Sequence, residues 1–188
     1  MMQASPDLTV GLEATPQDNI LAGLLDGQFD LGIADHPPSH PRLDAQHLGH
    51  EELCLVVPPD RLTSPITLGA LDELGLVAHP DGFAYADDLF TLNFPKTFEG
   101  SDKLRIRTFV NQIGQIPAPV AQGIGYTLLP RSGVDAYPDK DKIRVARLRK
   151  SRHHDLWMVF RRGRILPARV KRVADLIQSI ASSLGQGD

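Results

Sequence analysis

Asn111, Gln112 and Gln115 place three side-chain amides in one short stretch, with Phe109-Val110 before them and Ile116 after. An amide both donates and accepts hydrogen bonds, so such a loop suits recognition of a polar ligand, not its conversion. Acid–base catalysis needs convergent carboxylates, and the adjacent pairs Glu51-Glu52 and Asp87-Asp88 do not supply them. Neighbours on a strand point to opposite faces, and neighbours on a helix diverge by about 100°. Neither pair forms a dyad. His36, His40, His47 and His50, with Asp35, come nearest to a metal set, but they lack the spacing that puts two ligands on one helix face. A proline-rich loop, His36-Pro37-Pro38-Ser39-His40-Pro41, also lies across them. His153-His154 follows a basic run and reads as exposed. Cys54, the only cysteine, sits in the apolar run Leu53-Cys54-Leu55-Val56-Val57 and reads as a buried structural thiol. Gly123-Ile124-Gly125 lacks the third glycine of a dinucleotide fingerprint, because Leu128 stands there. Neither a metal nor a cofactor is expected, and the chain does not read as an enzyme.

The elements that must hold the amide loop are legible around it. Arg105 to Val110 alternates as a strand does, Pro117 and Pro119 fit a first helical turn, and Gly123 suits its left-handed stop. Tyr126 to Leu129 is a buried run stopped by Pro130, which makes strand, helix, strand and a parallel crossover. Ligands in such sheets bind beyond the carboxyl ends of the strands, here Asn111 to Ile116. Upstream, Leu8 to Leu12 reads as a strand. Thr15-Pro16-Gln17-Asp18 announces a helix with Thr15 as cap, Ile20, Leu21, Leu24 and Leu25 form its apolar face, and Gly27 ends it. Phe29 to Ala34 follows as a strand and favours a second parallel unit. Leu43 to Leu48 and Glu51 to Val57 read as two strands, Leu68 to Leu74 as a helix, Gly75 to Ala78 as a strand, His79 to Gly82 as a turn and Tyr85 to Phe94 as a helix. Near the end, Asp155 to Phe160 reads as a strand. Pro167 opens a helix with Val170, Val173, Ala174, Ile177, Ile180 and Leu184 on its buried side.

With 188 residues, 41% of them hydrophobic and 23% charged, the chain can bury the core of one domain or two small lobes. No apolar run approaches the roughly 20 residues that span a bilayer. The first residues show neither a basic nor an apolar signal region, and a cytoplasmic address is expected. Charge is uneven: from Lys140 onward 13 Lys and Arg face 4 Asp, whereas the residues before hold 7 against 19 acids. Basic residues alternate with apolar ones there, as in Ile143-Arg144-Val145-Ala146-Arg147-Leu148, which is the pattern of a folded solvent face.

Three stretches resemble the regulatory, effector-binding domain of LysR-type transcriptional regulators. They are Leu24-Leu25-Asp26-Gly27-Gln28-Phe29-Asp30-Leu31-Gly32-Ile33, then Leu53-Cys54-Leu55-Val56-Val57-Pro58-Pro59-Asp60, then Val120-Ala121-Gln122-Gly123-Ile124-Gly125-Tyr126-Thr127-Leu128-Leu129-Pro130-Arg131. The resemblance covers roughly Pro6 to Leu184. It implies an α/β fold of two Rossmann-like lobes with a ligand cleft between them, like the type 2 periplasmic binding proteins. Lobe I is expected at residues 1–57 and 157–188, and lobe II at 58–156. The first strand and helix of that domain, and the family's DNA-binding helix-turn-helix, are expected to be absent from this chain. By analogy the effector contacts fall on Thr15 and Gln17, on Asp35 and His36, on Gly82 and Tyr85, and on Val110, Asn111 and Gln112. The implied partners are a small-molecule effector, a second copy in a homodimer or tetramer, and DNA only through the missing domain; no membrane is expected. A stand-alone solute-binding protein of the same fold is the alternative. The basic C-terminal segment is expected to pack on the acidic N-terminal half.

Overall fold

A computed structural model describes residues 8–61 and 65–184, without the side chains of residues 183–184. The chain divides into two compact units: unit 1 is Met1–His50 with Asp155–Asp188, and unit 2 is Glu51–His154. Two strands pass from one unit into the other. They are β2 (Leu43–Val57) and β7 (His153–Arg161).

Unit 1 begins with α1 (Gln17–Asp26). The helix starts one residue later than its sequence announces: Pro16 occupies the cap position, its carbonyl accepts from the amides of Asn19 and Ile20, and Thr15 Oγ1 instead accepts from Asn19 Nδ2 at 3.0 Å. Gly27 ends it in the left-handed conformation, donating back to the carbonyls of Gly23 and Leu24. Leu24 is fully buried against Ala34, Leu43 and Val159, a burial that stabilises by about 1.5–3 kcal/mol. β1 (Gly32–Ala34) pairs antiparallel with β7 through Gly32↔Val159, Ile33↔Met158 and Ala34↔Trp157. The expected parallel unit at this point does not form, because Leu8 to Leu12 carries no ladder and Leu12 is almost fully exposed. Alternation alone makes no strand without a partner for its backbone.

α6 (Ala168–Leu184) lays Val170, Ala174 and Ala181 inward, and Ala174 and Ala181 meet Leu48 and Met158. Ile180, expected inside, is 53% exposed. Two basic residues after β7 meet upstream acids within unit 1: Arg162 with Asp44 at 2.8 Å and Arg164 with Asp30 at 3.3 Å. Arg161 and Lys171 have no acidic partner among the described residues, so the charge asymmetry is only partly used in pairing.

Unit 2 is built on the second half of β2. β5 (Thr127–Pro130) pairs antiparallel on one side, with Leu53↔Pro130 and Leu55↔Leu128. β6 (Arg144–Ala146) pairs antiparallel as well, with Leu55↔Ala146 and Val57↔Arg144. Tyr126 bridges in parallel to Leu76 of β3 (Leu76–Ala78), and β3 pairs in parallel with β4 (Ile106–Phe109). The parallel neighbour of β4 is therefore β3, reached through α3 (Gly82–Asn93), and not the strand after the amide loop. That later strand lies on the other side of β3.

Both faces of this sheet are covered. Leu53, Leu55 and Val57 point into a core with Leu71, Leu89, Phe90, Tyr126 and Leu128. Cys54 and Val56 point the other way, to Ile116, Val120 and Leu129. Burial on two sides is why residues 53–57 read as one unbroken apolar run. Leu71 belongs to α2 (Leu68–Leu74), whose first turn Thr67 caps by accepting from Ala70 N at 3.2 Å. Val120 belongs to α4 (Pro117–Ala121), and α5 (Arg131–Asp135) follows β5 directly. The two strands expected at 43–48 and 51–57 are one, with Gly49 at φ +144° inside it.

Candidate functional site

In unit 1 the structure gathers Gln17, Asp35 and His36 into one network. Gln17 opens α1, and Asp35 and His36 follow β1 directly, so two element ends deliver all three. The Asp35 backbone amide donates to Gln17 Oε1 at 3.1 Å, which fixes the orientation of the Gln17 amide. Gln17 Nε2 then lies 2.7 Å from His36 Nε2, and His36 Nδ1 lies 2.5 Å from Asp35 Oδ1. One tautomer satisfies the two shorter contacts. Nδ1–H donates to the carboxylate, and the bare Nε2 accepts from glutamine. Asp35 and His36 side chains are both 68% exposed, so the patch faces solvent with neutral and acidic polar groups. Thr15 stands beside it, its hydroxyl engaged by Asn19.

In unit 2 the remaining candidates fall at the carboxyl ends of β3 and β4, where parallel strands present ligands. Val110 donates its backbone N–H to Ala78 O at 2.9 Å and packs its side chain near Cys54 and Val56. Asn111 and Gln112 follow it and are exposed. A 3-10 turn, Ile113–Gln115, closes the loop, with Gln115 N donating to Gln112 O at 2.9 Å. Gly82 begins α3 against the ring of His79. A Cβ there would stand 3.1 Å from His79 Cδ2.

Tyr85 lies between two imidazoles. Its ring centre is 5.7 Å from that of His79, edge to face, and 5.3 Å from that of His154. His79 is 2% exposed and lies 2.8 Å, through Nε2, from the Leu128 carbonyl, so the Nε2–H tautomer donates there. Burial pushes its pKa below the ordinary 6.5, against the weaker opposing effects of the Leu128 bond and Asp81, and keeps the ring neutral. His154 Nε2 meets Asp88 Oδ2 at 3.0 Å, and Arg152 Nη2 approaches the same oxygen at 3.3 Å. Sequence reasoning left His79 in a turn and His154 on the surface. The one signal for His79 was its place directly after a fully apolar strand.

The carboxylates serve structure. Glu51 accepts the Ser132 amide at 3.0 Å at the start of α5, and Glu52 pairs with Arg131. Asp87 accepts both the amide and the hydroxyl of Ser101, at 2.9 and 2.8 Å, while Asp88 turns to His154. The Cys54 thiol is buried and its pKa is pushed up to about 12, mainly by desolvation, with Arg131 opposing. A thiol held protonated is a poor nucleophile. Among the described residues no three His, Cys, Asp or Glu side chains are grouped to hold a metal, and no helix is long and apolar enough to cross a membrane.

A mixed α/β chain with these two units has the periplasmic-binding-protein-like fold of LysR regulatory domains. Residues 1–181 match the family described as LysR substrate binding domain, and the chain belongs to that family. Among its relatives is the HTH-type transcriptional regulator BbuR of Bordetella bronchiseptica. The two are 30% identical over 132 residues, which is 69% of this chain and 39% of BbuR. Among solved structures, the regulatory domain of Synechocystis PCC6803 CcmR in complex with 2-PG superposes with a TM-score of 0.73 at 15% identity. That match covers 97% of this chain and 88% of CcmR's. Full-length CbnR complexed with its target DNA gives 0.63 at 23% identity, over 96% of this chain and 60% of CbnR's. The chain therefore spans less than two thirds of the length of BbuR and of CbnR.

Proposed function

We propose that the chain is the effector-sensing part of a LysR-type transcriptional regulator, in which a small metabolite biases the conformation of the regulatory domain and thereby modulates DNA binding. Units 1 and 2 serve as its two lobes. Membership of the LysR substrate-binding family over residues 1–181 is the observation that carries this reading. The chemistry of both patches supports it: Gln17, Asp35 and His36 in unit 1, and Tyr85, Asn111 and Gln112 in unit 2, recognise polar groups without a nucleophile or a carboxylate dyad. Pro117 and Pro119 remove two backbone donors from the start of α4, so side-chain amides carry more of the recognition than a helix N-terminus does.

Related proteins fit the same role: CcmR's regulatory domain is in complex with 2-PG, and CbnR with target DNA. By that likeness DNA is contacted through a separate DNA-binding domain and the regulator works as a dimer or tetramer in the cytoplasm. The alternative of a stand-alone solute-binding protein is disfavoured by the relationship to BbuR, a regulator. To shift a conformational equilibrium the effector must bind one state better than the other. A thermal-shift screen of small carboxylic acids and aromatics tests the proposal. A compound at 100 times its Kd stabilises the native state by about 2.7 kcal/mol. Absence of any saturable stabiliser across the screen, or turnover of one of the compounds, contradicts the reading.

A further inference from the structure

The ring stack in unit 2 does more than fill space. Tyr85 is touched by imidazoles on two sides, from different elements: His79 follows β3, and His154 is the second residue of β7. His79 is anchored by the Leu128 carbonyl of β5 and sealed from solvent, so that face of Tyr85 is fixed by the sheet itself. His154 is held differently. Its Nε2 is bound by Asp88, three residues after Tyr85 on α3, and Arg152 competes for the same carboxylate oxygen from the segment just before β7. Positions three apart on a helix share a face, so Tyr85 and Asp88 together grip one imidazole, one by its ring and the other by its nitrogen. A carboxylate bond to a ring nitrogen fixes the plane of that ring.

We propose that His154 is a positioning residue, locked by Asp88, which sets the orientation of Tyr85 and ties it to the first residues of β7, the strand that continues into unit 1. The proposal rests on Tyr85 being an effector contact only for its functional meaning; the positioning stands apart from it. Asp88 acts through His154. Its removal frees the imidazole and so moves Tyr85, with no contact between Asp88 and the tyrosine ring required.

The chain has three tyrosines, Tyr85, Tyr126 and Tyr137, so ring-labelled tyrosine gives three resolvable sets of NMR signals. Asp88 is partly exposed, and Asp88→Ala removes the acceptor for His154 at a helix position where alanine is well tolerated, which keeps that variant foldable. The expected result is a displacement of the Tyr85 ring signals in Asp88→Ala, in the same direction as in His154→Leu, with the Tyr126 and Tyr137 signals unmoved. His154→Gln, which restores a donor to Asp88 without the ring, displaces Tyr85 like His154→Leu, because the ring contact is what orients it. Unchanged Tyr85 signals in Asp88→Ala overturn the proposal, as does recovery of the wild-type signals in His154→Gln. If Tyr85 moves as expected but Tyr85→Leu leaves the thermal shifts given by small acids and aromatics intact, the positioning holds and the effector reading of Tyr85 fails.

Discussion

Acid weakens unit 2 through His79, and the sign follows from where the ring sits. It is 2% exposed, lies 2.8 Å from the Leu128 carbonyl, and has a pKa below the ordinary 6.5 because burial disfavours the imidazolium. The unfolded chain therefore binds a proton at a pH where the folded chain does not. Stability falls as pH drops below 6.5 and keeps falling until the folded-state pKa is reached; above 6.5 the contribution is flat. Between the two pKa values this single site removes at most about 1.4 kcal/mol per pH unit. His79→Gln abolishes that titration while leaving a donor in reach of Leu128, so its loss of hydrogen-bond stability stays near about 1 kcal/mol or less. Urea unfolding followed by far-UV circular dichroism, from about pH 7.5 to about pH 5, reads both proteins on the same scale. Wild type is the more stable at neutral pH, and its advantage shrinks or reverses toward acid. Parallel pH profiles for the two proteins refute the buried, neutral His79.

Glycine substitutions separate two costs in the turn before β5. Gly123→Ala, at φ +79° with open space around it, destabilises by about 1–2 kcal/mol in urea unfolding, whereas Gly125→Ala costs more because its Cβ would stand 2.6 Å from Gly75 O. Equal losses contradict the close approach of the two backbones. Leu24→Ala empties the centre of the α1 core and costs about 2–5 kcal/mol by the same assay; a loss under about 1 kcal/mol contradicts that packing. Cys54, with its pKa pushed up to about 12, stays unmodified by iodoacetamide in native protein at mildly alkaline pH and reacts once urea unfolds unit 2. Rapid native alkylation, read by mass spectrometry, refutes its burial.

Local chemistry made much of the fold legible. Gly27 stops α1 and Pro117 and Pro119 start α4, as their side-chain types announce, and residues 53–57 form the buried apolar strand they read as. What pairs with what was less legible, because pairing depends on distant partners. β4 turned out to lie beside β3, β5 antiparallel to β2, and β1 antiparallel to β7. Leu8 to Leu12 has strand alternation without a ladder, and Gly49 was read as a break within a strand that runs on. Of the candidate site, Gln17, Asp35 and His36 do meet, since two element ends bring them together. His79 and His154 were missed for the opposite reason. They are 75 positions apart, and only the folded sheet places Tyr85 between them.

Effector recognition is tested most directly by calorimetric titration of the strongest stabiliser among small carboxylic acids and aromatics into wild type, Gln17→Ala and Asn111→Ala. Both side chains lie outside the packed cores, so both variants stay folded: Asn111→Ala keeps stability within about 0.5 kcal/mol of wild type, and Gln17→Ala loses about 1 kcal/mol with its bond to the Asp35 amide. One saturable site in wild type, weakened about tenfold or more in at least one of the variants, is the predicted result, equivalent to about 1.4 kcal/mol of lost binding. Equal affinity in all three proteins contradicts the assignment of these residues, and the absence of any saturable site for these compounds contradicts the sensing role itself.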